Sequence, residues 1–97
     1  MEKTYHVYIL ASGRNGTLYV GVTGDIAARA WQHRAGTSHG FTKRYGVHRP
    51  VHLEAFDDVN EAILREKRIK KWRRAWKLEL IEQDNPQWLD LYERING

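Results

Sequence analysis

The 97-residue sequence has no cysteine, and that absence removes disulfides, thiolate metal sites and thiol nucleophiles together. Only two serines are present, Ser12 and Ser38, one in a turn and one in a loop, so a serine-hydrolase arrangement has no support. No glycine-rich phosphate loop or dinucleotide fingerprint occurs, and His33 and His39 lack the further ligands that a zinc site needs. Long apolar runs are missing too. The start, MEKTYHVYIL, offers a five-residue, mostly apolar stretch, against about 7–15 residues for a signal core and about 18 for a membrane span. A cytoplasmic protein without a membrane role is therefore expected. Neither repeats nor low-complexity tracts nor linkers interrupt the chain, and the two prolines sit at expected element boundaries.

What is present describes one small basic domain spanning 1–97. Sixteen Lys and Arg against 12 Asp and Glu leave a net charge of +4. Hydrophobic residues make up 41% and aromatic residues 11%, enough to offset ordering entropy around one core. Tyr5 to Leu10 alternate as a strand does, a turn follows at Ser12–Gly16 with its Asn-Gly step, and Thr17 to Val22 alternate again. Thr23-Gly24-Asp25 then supplies the N-cap of a helix in which Ile26, Ala27, Ala30 and Trp31 recur at helical spacing until Gly36. Residues 36–50 read as a basic, glycine-containing loop long enough to suggest function. A third strand is expected over Val51–Phe56. Asp57 or Asp58 then caps a second helix from near Asn60, with a break near Arg73 or Arg74. After a turn at Asn85-Pro86, a terminal helix is expected over Gln87–Ile95 with Trp88, Leu91 and Tyr92 inward. The fold class is α+β, a small three-stranded antiparallel sheet flanked by helices.

Several residues suggest chemistry. Tyr8 and Tyr19 fall on the strand sides opposite Val7, Ile9 and Val20, so both phenols can share one face; strand packing accounts for either alone. Gly21, two residues after Tyr19, leaves a gap on that face where a ligand or another backbone can approach. Arg29 and His33, four apart, stack on one helix face, roughly opposite Ile26 and Ala30; a guanidinium beside an imidazole suits phosphate chemistry, although a solvated face is the plainer account. Glu66 lies on the inward stripe of the second helix with Ala62 and Ile69, an odd place for a carboxylate without a partner or a metal. Lys70 can pair with it, but a surface-type pair contributes only about 0.3–0.5 kcal/mol. From Ile63 to Lys77 eight basic residues face one acid, a composition suited to a phosphate backbone, with Trp72 and Trp76 read as core.

Together these residues resemble the GIY-YIG nucleases, specifically the small single-domain bacterial branch related to the nuclease module of the excision-repair machinery. The two signature segments are His6-Val7-Tyr8, with His6 in place of glycine, and Tyr19-Val20-Gly21. Asp25 through His33 resembles the family's arginine and histidine helix, and Ala62–Glu66 its metal-glutamate helix. Three further segments match the small branch: Gly40–Tyr45, Ile69–Trp72 and Asn85–Leu91. The asparagine near the site of some relatives aligns loosely with Asn85.

The resemblance implies phosphodiester hydrolysis in nucleic acid, DNA in the first place, by in-line water attack with one divalent cation, Mg²⁺ or Mn²⁺, held by Glu66. Arg29 would stabilise the transition state, Tyr8 would serve as general base directly or by passing its proton to His33, and Tyr19 would orient water or phosphate. Gly21, Lys43, Lys70 and Arg73 are the expected nucleic-acid contacts. A partner protein supplying substrate targeting is compatible with the lack of a recognition domain. Two rival readings are a non-catalytic nucleic-acid-binding module on the same scaffold, and a protein-interaction domain using the Trp-rich C-terminal segment.

Overall fold

A computed structural model of the chain describes residues 3–36 and 40–96. Alternating side chains build β1 (Tyr5–Ala11) and β2 (Leu18–Thr23), joined by a turn in which Asn15 adopts φ 58°. β3 (Arg49–Phe56) pairs with the other side of β1, so the antiparallel sheet has the order β2-β1-β3. β3 begins two residues before the expected Val51 and runs through Pro50. That residue lacks an amide hydrogen, but β3 is an edge strand, and the pairing shifts register between Ile9 and Leu10, which lets the edge absorb a proline.

Each face of β1 is covered. Val7, Ile9 and Ala11 join Val20, Val51, Ala62, Ile69, Ile81 and Trp88 in the main core, while Tyr8 and Leu10 join Val47 on the other face. The first face is covered by α3 (Val59–Lys71), which Asp58 caps by accepting from the Asn60 amide at 3.2 Å, and by α4 (Arg74–Asp84). The break between them falls at Trp72-Arg73, as expected. Arg74 donates to the carbonyls of Asn15 and Gly16 at 2.7 and 2.6 Å, tying the start of α4 to the β1–β2 turn.

The expected loop contains a short helix, α2 (Phe41–Arg44); its residues 37–39, with Ser38 and His39, lie outside the described residues. The terminal helix is shorter than expected. Asn85 ends α4 and spends its side chain on the backbone, donating to the Val51 and Leu89 carbonyls and accepting from the Leu89 amide. Those bonds hold residues 85–91 in an irregular segment, with Trp88 at φ 56° and buried, and only α5 (Tyr92–Asn96) remains helical. Trp88 Nε1 donates to Glu82 at 2.8 Å, so its polar edge is satisfied in the core. Among the described residues no helix is long and apolar enough to cross a membrane.

One half-buried ion network joins β3 to α3. Arg65 donates to both oxygens of Glu54 at 2.8 and 3.0 Å, and His52 lies 2.7 Å from the same carboxylate. Burial alone would raise the Glu54 pKa, but the hydrogen bonds from His52 and Arg65 outweigh it and hold the carboxyl at about 2, against an ordinary 4.5. Because the folded value lies below the ordinary one, the carboxylate stabilises the fold above about pH 4.5, and that contribution is lost as pH falls through about 2. It amounts to on the order of 3 kcal/mol at neutral pH. Glu54→Gln is expected to lose urea stability of that order at pH 7, and the gap to the native chain should shrink by pH 2. Parallel stability curves across that range would show that the network is not the cause.

Candidate active site

The aromatic cluster is built on the face of the sheet that carries Tyr8 and Leu10. Tyr8 on β1 sits opposite Gly21 on β2, and its ring lies over the glycine: a Cβ at position 21 would stand 2.4 Å from the phenol oxygen and 2.5 Å from Cζ. The gap expected at Gly21 is therefore filled by Tyr8, a correction to its reading as a nucleic-acid contact; the glycine makes room for the tyrosine. Tyr19, two residues earlier on the same strand face, places its ring centroid 6.3 Å from that of Tyr8.

His33 completes the cluster. Its ring is 6.0 Å from Tyr8 and 5.9 Å from Tyr19, and its Nε2 lies 3.4 Å from the Tyr8 hydroxyl, a long hydrogen bond. It belongs to α1 (Ile26–Ala35), started by Asp25, whose carboxylate accepts from the Ala28 amide, and ended by Gly36 at φ 74°. The expectation that Arg29 and His33 lie opposite Ile26 and Ala30 is corrected for His33. Positions 26, 30 and 33 form one stripe at helical spacing, so the imidazole is buried with them while Arg29 stays exposed. Trp31 lies off that stripe and faces solvent.

The electrostatics of these groups interlock. Burial pushes the Tyr8 pKa well above the ordinary phenol value, the Tyr19 phenol adds to this, Arg29 opposes it and Glu66 raises it further. Burial, then the Arg29 charge, lowers the His33 pKa below 6.5. The resting pair at neutral pH is thus a neutral phenol against a neutral imidazole, whose Nδ1 is buried without a hydrogen-bond partner among the described residues. Tyr8, a buried residue of β1, therefore feels both Arg29 of α1 and Glu66 of α3, charged groups from two further elements.

Glu66 is inward as expected, its side chain 13% exposed, and it is paired with Lys70 at 3.1 Å. Lys43 is exposed on α2, which meets the cluster through Phe41, stacked 6.5 Å from Tyr19. Arg73 is elsewhere: it lies over Trp76 at 4.9 Å, and no contact links it to the tyrosines among the described residues. Trp76 is not core but 48% exposed, meeting Trp72 edge-on at 6.1 Å; the bend at Trp72-Arg73 turns it off the stripe that Ala62 and Ile69 share. Asn85 is occupied by the backbone contacts described above. The stacking of Phe41 on Tyr19 has no counterpart in the sequence reading, although an aromatic residue in a basic loop is the signal that could have raised it.

A fold with two tyrosines on adjacent strands, a histidine–arginine helix and an inward glutamate defines a class, and comparison with known proteins agrees. Residues 4–79 match the GIY-YIG catalytic domain, so the chain belongs to the GIY-YIG family, a nuclease superfamily whose members generally use a divalent metal. UPF0213 proteins of Staphylococcus aureus, from strains N315 and MW2 among others, are 39% identical over 83 residues, covering 82% of this chain and 96% of theirs. The solution NMR structure of a UPF0213 protein from Bacillus halodurans matches with a TM-score of 0.56 at 29% identity, covering 88% of this chain and 89% of that one. That likeness supports the α+β architecture of a three-stranded antiparallel sheet with flanking helices.

The close approach of Tyr8 to Gly21 can be measured. Gly21→Ala should cost about 1–3 kcal/mol in urea unfolding, because the packed Tyr8 ring leaves the new methyl no room. In a Tyr8→Ala background the same change should cost less than half as much. Equal costs in both backgrounds would separate the glycine from the tyrosine.

Proposed function

We propose that the chain is a metal-dependent nuclease that hydrolyses phosphodiester bonds in nucleic acid, DNA first, by in-line water attack. The observation that carries this reading is the cluster of Tyr8, Tyr19 and His33 on one face of the sheet, in which the buried phenol lies 3.4 Å from the imidazole and feels the charges of Arg29 and Glu66. Packing alone gives no reason for that combination, and binding alone needs only basic residues.

The donor set suits Mg²⁺ or Mn²⁺. Among the described residues no group of three or more His, Asp or Glu is placed to hold a metal ion by itself, and a cation held by the inward Glu66 carboxylate would need water and phosphate oxygens to complete its shell. When bound there, a divalent cation supplies charge neutralisation at a non-bridging oxygen and at the departing oxygen. Lys70, now paired with Glu66, would yield that carboxylate to the cation and turn to a phosphate.

The protein's own groups then act as follows. Tyr8 does not begin as a phenolate, because burial disfavours the charged form. Its oxygen takes the proton of the attacking water as its own hydroxyl proton passes to His33 Nε2, across the 3.4 Å that separates them. The lowered His33 pKa keeps the imidazole neutral and able to accept at neutral pH. Arg29, exposed on α1, stabilises negative charge accumulating on the phosphate. Tyr19 orients the water or the phosphate, and Lys43 adds a phosphate contact from α2. Arg73 contributes at most to strand binding beside Trp76.

The direct test incubates the purified protein and Glu66→Gln with labelled single-stranded, duplex and branched DNA and with RNA, each with Mg²⁺, Mn²⁺ or chelator. Metal-dependent cutting should be lost in the variant while affinity is nearly unchanged, and Arg29→Ala should cost about a hundredfold or more in rate. Binding of every substrate with no cutting would instead favour the non-catalytic module. The rate should also fall with acid, since His33 must be neutral to accept a proton. Its acid limb is expected below pH 6.5 and should be absent in His33→Ala; an acid limb above that value, or one that survives the substitution, assigns the proton acceptor elsewhere.

A further inference from the structure

From the buried Tyr8 a row of rings runs outward to solvent. Tyr19 lies 6.3 Å from Tyr8, Phe41 is stacked on Tyr19 at 6.5 Å with planes 29° apart, and Tyr45 follows Phe41 at 4.9 Å. Tyr8 is 2% exposed, whereas Phe41 is 45% and Tyr45 50% exposed. The outer rings sit in a setting of one sign. Lys43 and Arg44 share the short helix α2 with Phe41, and the Arg44 guanidinium lies 5.5 Å over the Tyr45 ring.

Packing does not explain this arrangement. The core on this side of the sheet is made by Tyr8, Leu10 and Val47 with Tyr19, Ile26 and Leu53 packed against them, and neither Phe41 nor Tyr45 belongs to it. α2 is held instead by its backbone, with the Val47 amide donating to the Thr42 carbonyl at 2.8 Å and Thr42 itself buried. The helix is anchored through Thr42 while its aromatic rings are presented outward. Exposed aromatic surface that is contiguous with a site and flanked by cations matches what an unpaired strand requires: rings on which bases stack, and charge for the backbone beside them. A duplex offers no free base faces to such rings, and its bases would have to be unstacked to reach them.

We propose that Tyr19, Phe41 and Tyr45 form a stacking track for unpaired nucleotides, with Lys43 and Arg44 on the phosphates, and that this track selects single-stranded or flapped strands for the Tyr8–His33 site. The proposal rests on the nucleic-acid reading above and adds a substrate class to it. The base next to the scissile phosphate lies against Tyr19 and the following bases continue outward over Phe41 and Tyr45.

The track is tested without catalysis, by fluorescence anisotropy in chelator. Three probes of about twelve nucleotides, close to the span of a single-strand groove, are compared: an oligothymidylate, an abasic strand with the same phosphates, and a blunt duplex. The native protein should bind the oligothymidylate at least about tenfold more tightly than the abasic strand, and more tightly than the duplex. Phe41→Ala and Tyr45→Ala, both at exposed positions, should each remove about fivefold or more of the oligothymidylate affinity and leave the abasic strand unchanged. Phe41→Tyr should restore binding. Equal affinity of the native protein for oligothymidylate and abasic strand, a duplex preference, or alanine variants that lose both strands equally would overturn the track. The abasic strand separates that failure from failure of the nucleic-acid reading itself, in which no probe binds; that outcome would overturn both and leave the exposed rings to a protein partner. Unchanged circular dichroism of the variants shows that the loss is not one of folding.

Discussion

β1 is hydrogen-bonded on both edges and packed on both faces, and every other element takes its place from that constraint. Its odd and even side chains enter two separate environments, an aliphatic core under α3 and α4 and an aromatic pocket beside α1. A strand alternates with period two, so neither environment can change register without exchanging Val7 and Ile9 for Tyr8 and Leu10. Tyr8 is thereby held with an accuracy that a loop residue would lack, and the space for its ring is provided by the one residue opposite without a side chain, Gly21.

The buried phenol in turn governs the electrostatics. Desolvation keeps Tyr8 and His33 neutral, while Arg29 stands exposed on the surface of α1. A negative charge reaches Tyr8 from α3 through Glu66, the one acid among eight basic residues between Ile63 and Lys77. That imbalance makes Glu66 stand out in the sequence and supplies its ion-pair partner, Lys70.

Much of this is legible in the sequence because it depends on short-range pattern. Alternation locates the strands, Asp25 and Asp58 cap the helices that follow them, and the tyrosines share a face because their positions on paired strands require it. What the sequence hides depends on competing spacings or on contacts distant in the chain. Four-residue spacing groups His33 with Arg29, but the 26/30/33 stripe is the one that packs. A helical stripe extended through Trp72-Arg73 carries Trp76 into the core, and only the bend there turns it out. Nothing in the periodicity of the terminal segment announces that the Asn85 side chain will bond to the Val51 and Leu89 carbonyls and cut the helix short.

The segment that Asn85 organises separates two ways of bounding the domain. The family match ends at residue 79, yet Ile81, Trp88 and Leu91 beyond it are buried, and the Leu91 amide donates to the Pro50 carbonyl on the edge of the sheet. The matched catalytic domain is therefore shorter than the packed unit. Residues 80–91 act as a plug that closes the aliphatic core beneath β3, so sequence change in this tail is constrained by the volume it must fill as well as by any partner it meets.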